Sequence, residues 1–133
     1  MTHLLNAMAQ AVGLVLAAAA RRTSTLTGTG IDVLAYEGVA LITLNASAAS
    51  AGTSPTLDVK LQHSDTTTSG DFTDVTGGAF TQVTDVAGTA GVQVKKFNVS
   101  DLKQYLRVIG TIGGTNTPTF DFGVTFTGIK KAS

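Results

Sequence analysis

His63-Ser64-Asp65 is the one place in this sequence where a base, a hydroxyl and a carboxylate stand together. Nucleophilic catalysis needs those three types in space, with the base bonded to the nucleophile and oriented by the acid. Side chains adjacent along an extended chain point to alternate sides, so this run is expected to be a strand end with a surface histidine. The other histidine, His3, lies near the start of the chain. A glycosidase needs two carboxylates facing across a cleft. Asp32, Glu37, Asp58 and Asp121 instead fall on or beside apparent strands, mostly in outward phase. Asp65, Asp71 and Asp74 come nearest to a calcium loop, yet their spacing fits no defined one. The chain has no cysteine, which removes disulfides, thiol nucleophiles and thiolate metal sites. The expectation is a protein that is not an enzyme, with no catalytic, cofactor-binding or metal-binding residues and no cofactor.

Charge excludes more. Nine basic and nine acidic residues cancel, and Arg21-Arg22, Lys95-Lys96 and Lys130-Lys131 are separated pairs rather than a basic stripe. No nucleic-acid partner is expected. Asn45-Ala46-Ser47 and Asn98-Val99-Ser100 fit a glycosylation pattern that chance produces readily. The stretch AVGLVLAAAA at 11–20 has the length of a signal-peptide core, but no Lys or Arg precedes it. It is also too short to span a bilayer. A soluble chain without a membrane partner is expected.

The elements that must position any site are strands. Only 14% of the residues are charged, and threonine and serine carry the polar surface, a mix at home in β-structure. Leu57, Val59 and Leu61 alternate with Asp58, Lys60 and Gln62; Phe120, Phe122, Val124 and Phe126 alternate with Asp121 and Thr125. Ile31 to Tyr36, Val39 to Asn45 and Tyr105 to Ile112 read as further strands, the last with Leu106, Val108 and Ile112 together. Ala46 to Pro55 and Ser64 to Asp71 read as loops, and Gly113 to Asn116 as a turn. In the segment 92–99, Val92 and Val94 share one face while Phe97 and Val99 share the other, so a bulge at Lys95-Lys96 is expected. About eight short strands in one domain imply an all-β, antiparallel sandwich.

Two regions stand apart. Residues 72–84, FTDVTGGAFTQVT, repeat a five-residue phrase around Gly77-Gly78. No helix signal follows those glycines, so a phosphate loop is not expected. A hairpin is, with Val75 paired to Phe80. Residues 1–22 are expected to form an N-terminal arm, helical near residues 3 to 13 or extended through the valine–alanine run, ahead of a sandwich domain at 23–133.

The succession TGTGIDVLAYEGVALITLN, SPTLDVKLQHSD, FTDV, LKQYLRVIGTIGG and PTFDFGVTFTGIKK resembles small structural proteins of tailed bacteriophages, over roughly residues 24 to 131. The resemblance implies a jelly-roll-like sandwich serving as a head decoration, or cement, protein on the capsid exterior, made in the host cytoplasm. It implies as partners the major capsid protein lattice and the protein itself, as a symmetric homo-oligomer (dimer or trimer). It transfers no catalytic residues. A tail or head-to-tail virion component is the nearest alternative. A carbohydrate-binding module is the other, for which only Tyr36 and Tyr105 could stack on a sugar.

Overall fold

The computed structural model describes residues 11–131. Eight strands follow in chain order: β1 (Ala11–Arg22), β2 (Leu26–Thr27), β3 (Ile31–Asp32), β4 (Tyr36–Ala46), β5 (Ala51–Ser64), β6 (Thr73–Ala79), β7 (Gly91–Asn98) and β8 (Tyr105–Lys130). Single 3₁₀ turns at Ser69–Asp71, Ala87–Thr89 and Val99–Asp101 connect some of them, and there is no α-helix among the described residues. All pairings between strands are antiparallel.

β8 organises the molecule because its two halves belong to different sheets. Residues 120–130 lie between β4 and β1, and β7 completes that sheet as β7-β4-β8-β1. Residues 105–115 lie between β5 and the short β2 and β3, with β6 outside β5. The expected turn at 113–116 is the crossing between the sheets: the strand continues, but Gly114, Asn116 and Thr117 take positive φ there. The halves face one another as a jelly-roll-like sandwich, with Leu44, Leu57, Leu61, Leu106, Phe120 and Phe126 fully buried between them. Gly110 is required at the fold's centre. A Cβ there would come within 2.8 Å of the Phe122 ring from the opposite sheet.

The alternation on 57–61 and 120–126 stands as expected: Leu57, Val59, Leu61, Phe120, Phe122, Val124 and Phe126 are all buried. Four other expectations need correction. Ile31 to Tyr36 is a strand only at Ile31–Asp32, because Tyr36 already begins β4. The loop after Ala46 is shorter, since β5 begins at Ala51. FTDVTGGAFTQVT is not a hairpin. It runs one way along β5, with Thr73 and Asp74 paired to His63 and Gln62, Ala79 to Lys60 and Val83 to Leu57. The glycines absorb a bulge instead of a reversal: five residues of β6 span what two residues span on β5, and Gly77 takes φ +74°. Each aromatic or valine of the phrase (Phe72, Val75, Phe80, Val83) then reaches the core from one side. The repeat is one edge chain that docks the same residue types twice. Finally, β7 carries no bulge at Lys95-Lys96, for its register against β4 is continuous from Gly91 to Asn98.

The expected division at residue 22 cuts through a pairing. From Ala11 the segment is extended and hydrogen-bonded to β8, from Ala11 opposite Ile129 to Arg22 opposite Phe120. Leu16 and Ala17 belong to the core. Its valine–alanine run is a strand because β8 offers it an open, apolar edge. The helix expected near residues 3 to 13 falls mainly outside the described residues, and its last three positions are strand.

Candidate interaction surface

Most of the candidate catalytic groups are held by hydrogen bonds within the fold. His63 is half-buried, and its Nδ1 accepts the Lys103 backbone N–H at 3.2 Å. Burial and the Lys103 charge lower its pKa, with Asp65 opposing weakly. The Ser64 hydroxyl is buried and accepts the Thr66 N–H, so the imidazole does not address it. Asp71 accepts the Thr66 hydroxyl at 2.6 Å. Asp74 accepts Gln62 and Lys60, which hold its carboxyl below the usual range. Asp32 accepts the Leu34 N–H and the Gln104 amide, Asp58 the Gln82 amide and Asp121 the Arg21 guanidinium. Glu37 is exposed. Among the described residues no three His, Asp or Glu side chains converge as a metal site would need. Tyr36 is buried edge-on against Phe126, Tyr105 is half-buried, and no aromatic side chain among the described residues is exposed.

The surface feature that stands out is the outer face of the β7-β4-β8-β1 sheet. Antiparallel register sets its side chains in rows. Val15, Thr125, Thr43 and Val94 form one row across all four strands, and Gly13, Thr127, Leu41 and Lys96 form the next. Val15, Val39, Val92 and Val94 are each more than half exposed, and Leu41 is 39% exposed. Charge is confined to the margins, with Lys96 and Glu37 towards one end and the Arg21–Asp121 pair at the other. Exposed apolar groups of this kind, here valines and a leucine interspersed with threonines, make this face the candidate interaction surface among the described residues. The phase slip read in 92–99 was the sequence signal for it. Phe97 packs inward while Val92 and Val94 face out. A bulge would have hidden the valines; the regular strand displays them.

β1 gives this face relief. Its register slips twice between Val15 and Ala20, and the Ala19 backbone rides over the outer side of Gly123, where a Cβ would meet it at 2.9 Å. The resulting arch is fastened by Arg22, whose guanidinium donates to the carbonyls of Ala18, Ala20 and Phe122 at 2.6, 3.3 and 2.7 Å and lies 4.6 Å over the Phe122 ring. Beside the arch, Thr43, Asn45, Gly123 and Thr125 floor an open groove of about 860 Å³. The Arg21–Asp121 bridge closes one end at 2.9 Å, and the arginine lowers the Asp121 pKa by hydrogen bonding first and charge second. The arginine pair is therefore spent within the fold. Lys95 is likewise turned back over the Phe80 ring.

No family profile and no curated protein sequence matches the chain. Among solved structures it is similar to the PBSX exported protein XepA, with 18% identity and a TM-score of 0.56 over 92% of this chain and 38% of that one. It is also similar to a protein in the structure of infectious bursal disease virus strain Gt, with 10% identity and a TM-score of 0.55 over 90% and 33%. The infectious bursal disease virus VP2 subviral particle gives 9% identity and a TM-score of 0.51 over 90% and 32%. The chain thus spans about a third of the length of each of these three structures. At these identities the likeness shows the fold, an all-β jelly-roll-like architecture shared with viral capsid proteins.

Proposed function

We propose that this protein is a structural component of a phage virion, and specifically a capsid decoration or cement protein that binds the outside of the head as a symmetric homo-oligomer. The observation that carries the reading is the valine-displaying outer face of the β7-β4-β8-β1 sheet, whose charges lie at its margins. A surface of that kind has no use in a solitary soluble subunit and suits one held in a lattice of protein contacts. The fold's likeness to virus-particle proteins and the sequence resemblance to phage head proteins support the same reading. On it, the protein is not an enzyme and takes no cofactor; its partners are coat subunits and its own copies, and it acts by binding.

The mechanism is mass action. A subunit that binds the assembled shell and not its dissociated coat proteins stabilises the shell by RT ln(1 + [L]/Kd), ~2.7 kcal/mol per site at a hundredfold excess over Kd. Symmetry repeats that increment around the particle. The test compares heads stripped of the protein with the same heads re-decorated. Re-decorated heads should release DNA at a higher temperature, and isolated coat monomers should not bind. Equal release temperatures at confirmed saturation would remove the cement reading and leave the tail or head-to-tail component. The buried Tyr36 and half-buried Tyr105 weigh against a carbohydrate-binding module, which needs an exposed aromatic platform.

A further inference from the structure

We infer that β7 pairs edge to edge with β7 of a second copy of this chain, antiparallel about a twofold axis that passes between the two Val94 residues perpendicular to the sheet. The inference names the surface of self-association and rests on the reading above, which gives the outer face to the shell. A face held by the shell cannot also hold a copy of the protein, so the contact between copies falls elsewhere.

The sheet edges decide where. An edge strand presents a row of unpaired N–H and C=O groups, and proteins blunt such edges with short strands, bulges, proline or charge. β2 and β3 are two residues each. The register of β1 slips twice, and β6 carries the bulge at its glycines. Beyond β6, the Gln93 side chain accepts the Thr81 N–H at 2.8 Å and donates to the Thr81 carbonyl at 2.9 Å, which seals that edge too. β7 is different. Its eight residues, GVQVKKFN, hold one register against β4 without bulge or proline. β4 is its sole strand partner, and among the described residues no main-chain hydrogen bond from a turn or loop reaches it. The ladder on its far side is open.

Lys95 and Lys96 are the remaining guard of this edge, and register decides whether they act. Residues directly opposite in an antiparallel pair share a face of the sheet, so a strand paired with its own copy must centre on a residue. Centring on Lys95 sets the two Lys95 side chains against each other, which like charge disfavours. Centring on Gln93 pairs fewer residues, because the turn at Ala87–Thr89 ends the strand. Centring on Val94 pairs every residue from 91 to 97. Val92 then stands opposite the second copy's Lys96, and Gln93 opposite its Lys95. The two Lys96 residues lie about 14 Å apart along the strands, beyond the ~10 Å over which salt screens exposed charges. Each Lys95 is drawn over its own Phe80 ring. The row of Val15, Thr125, Thr43 and Val94 runs on through the axis into the same row of the second copy.

The symmetry fits the reading it rests on. A twofold perpendicular to the sheet turns both outer faces to the same side, so the dimer presents one valine-bearing surface of eight strands to the shell. The contact is isologous and closes at two copies.

The absence of cysteine lets single cysteines report the contact. Purified full-length protein is oxidised without shells. Val94→Cys should lock as a disulfide dimer on a non-reducing gel, because residues directly opposite have Cα atoms ~4.5–5.5 Å apart, within disulfide reach. Thr43→Cys, one strand further from the axis on the same face, should not. Sedimentation should show a dimer whose dissociation constant rises about tenfold in Val94→Lys, which sets like charges opposite each other. Val15→Lys, at the far end of the same row, should leave that constant unchanged. Both valines are more than half exposed, so both lysine variants should keep the β-rich dichroism spectrum. A monomer up to ~0.1 mM, a trimer, or a dimer that Val94→Cys does not lock or Val94→Lys does not weaken would overturn the inference. So would equal weakening by Val15→Lys and Val94→Lys, which would put the copies face to face. Because no shell is present, these failures would leave attachment to the head standing, and a failed thermal-release test would leave the dimer standing.

Discussion

Replacing Arg107 by alanine tests the most connected polar side chain among the described residues. Arg107 is only 8% exposed, yet no carboxylate touches it directly among its hydrogen-bond partners. Its Nε and Nη2 donate to Gln62 Oε1 at 3.0 and 2.7 Å, its Nη1 donates to Ser69 Oγ at 3.0 Å, and its guanidinium lies 4.2 Å over the Phe72 ring. Gln62 in turn donates to Asp74 at 2.9 Å, so the charge is relayed through an amide to an exposed carboxylate. Hydrogen bonds to a charged group are worth ~1.5–3 kcal/mol net, and a partly desolvated cation–π contact ~1–2 kcal/mol. Truncation also strips the apolar stem from Phe72 and frees the Ser69–Asp71 turn. These contributions overlap, so Arg107→Ala should cost about 3 kcal/mol, and the midpoint of thermal unfolding should fall by roughly 10 °C for a chain of this size. Arg107→Met keeps most of the packing and should cost about half as much. Chemical denaturation followed by dichroism measures both. A cost under ~1 kcal/mol for the alanine variant would show that desolvating the guanidinium cancels its contacts, and the relay would lose its place in the account.

Phe122→Ala removes a fully enclosed ring seated on Gly110 and should cost ~3–5 kcal/mol in the same assay; an unchanged midpoint would mean the phase of β8 is misassigned. Deleting residues 1–22 removes Leu16 and Ala17 from the core and bares the β8 edge, so the product should be insoluble or unfolded, and a soluble, cooperatively melting product would restore the independent arm. His63 has its pKa lowered by burial, so folding disfavours its proton. Its contribution is full above the unfolded pKa near ~6.5 and is lost as pH falls through the folded value. Stability should therefore decline on acidification below about pH 6.5, and His63→Gln should flatten that limb of the curve. Asp74 and Asp121 act lower. Both are depressed by hydrogen-bonded cations or amides, and their contributions persist above the usual carboxylate pKa and fade below about pH 4.

Period-two alternation in the sequence was enough to assign the β8 core residues Phe120 to Phe126, the inward set of β5 and the all-β class, because burial on one face of a strand is written directly into every second residue. Of the groups weighed for a site, His63, Ser64, Asp32, Asp58, Asp71, Asp74 and Asp121 each make hydrogen bonds in the fold, while Glu37 and Asp65 are exposed. What a strand's neighbour would be was not written in the sequence. FTDVTGGAFTQVT carries the local signal of a hairpin, but pairing with β5 buries Phe72, Val75, Phe80 and Val83 together, and that gain outweighs the turn preference of two glycines. The valine–alanine run of β1 was ambiguous because valine favours strand and alanine favours helix, and only the open edge of β8 decided it. The same holds for the groove. Its arch exists because Gly123, on one strand, leaves room for the backbone of Ala19 on another, and Arg22 ties down the carbonyls the arch frees. Gly123 and Phe122 lie about a hundred positions from Ala19 and Arg22, and no local pattern links them. Alternation in a sequence records which side of a strand faces the core; the partner across the hydrogen bonds, and hence the outer surface, is fixed only when the whole sheet has assembled.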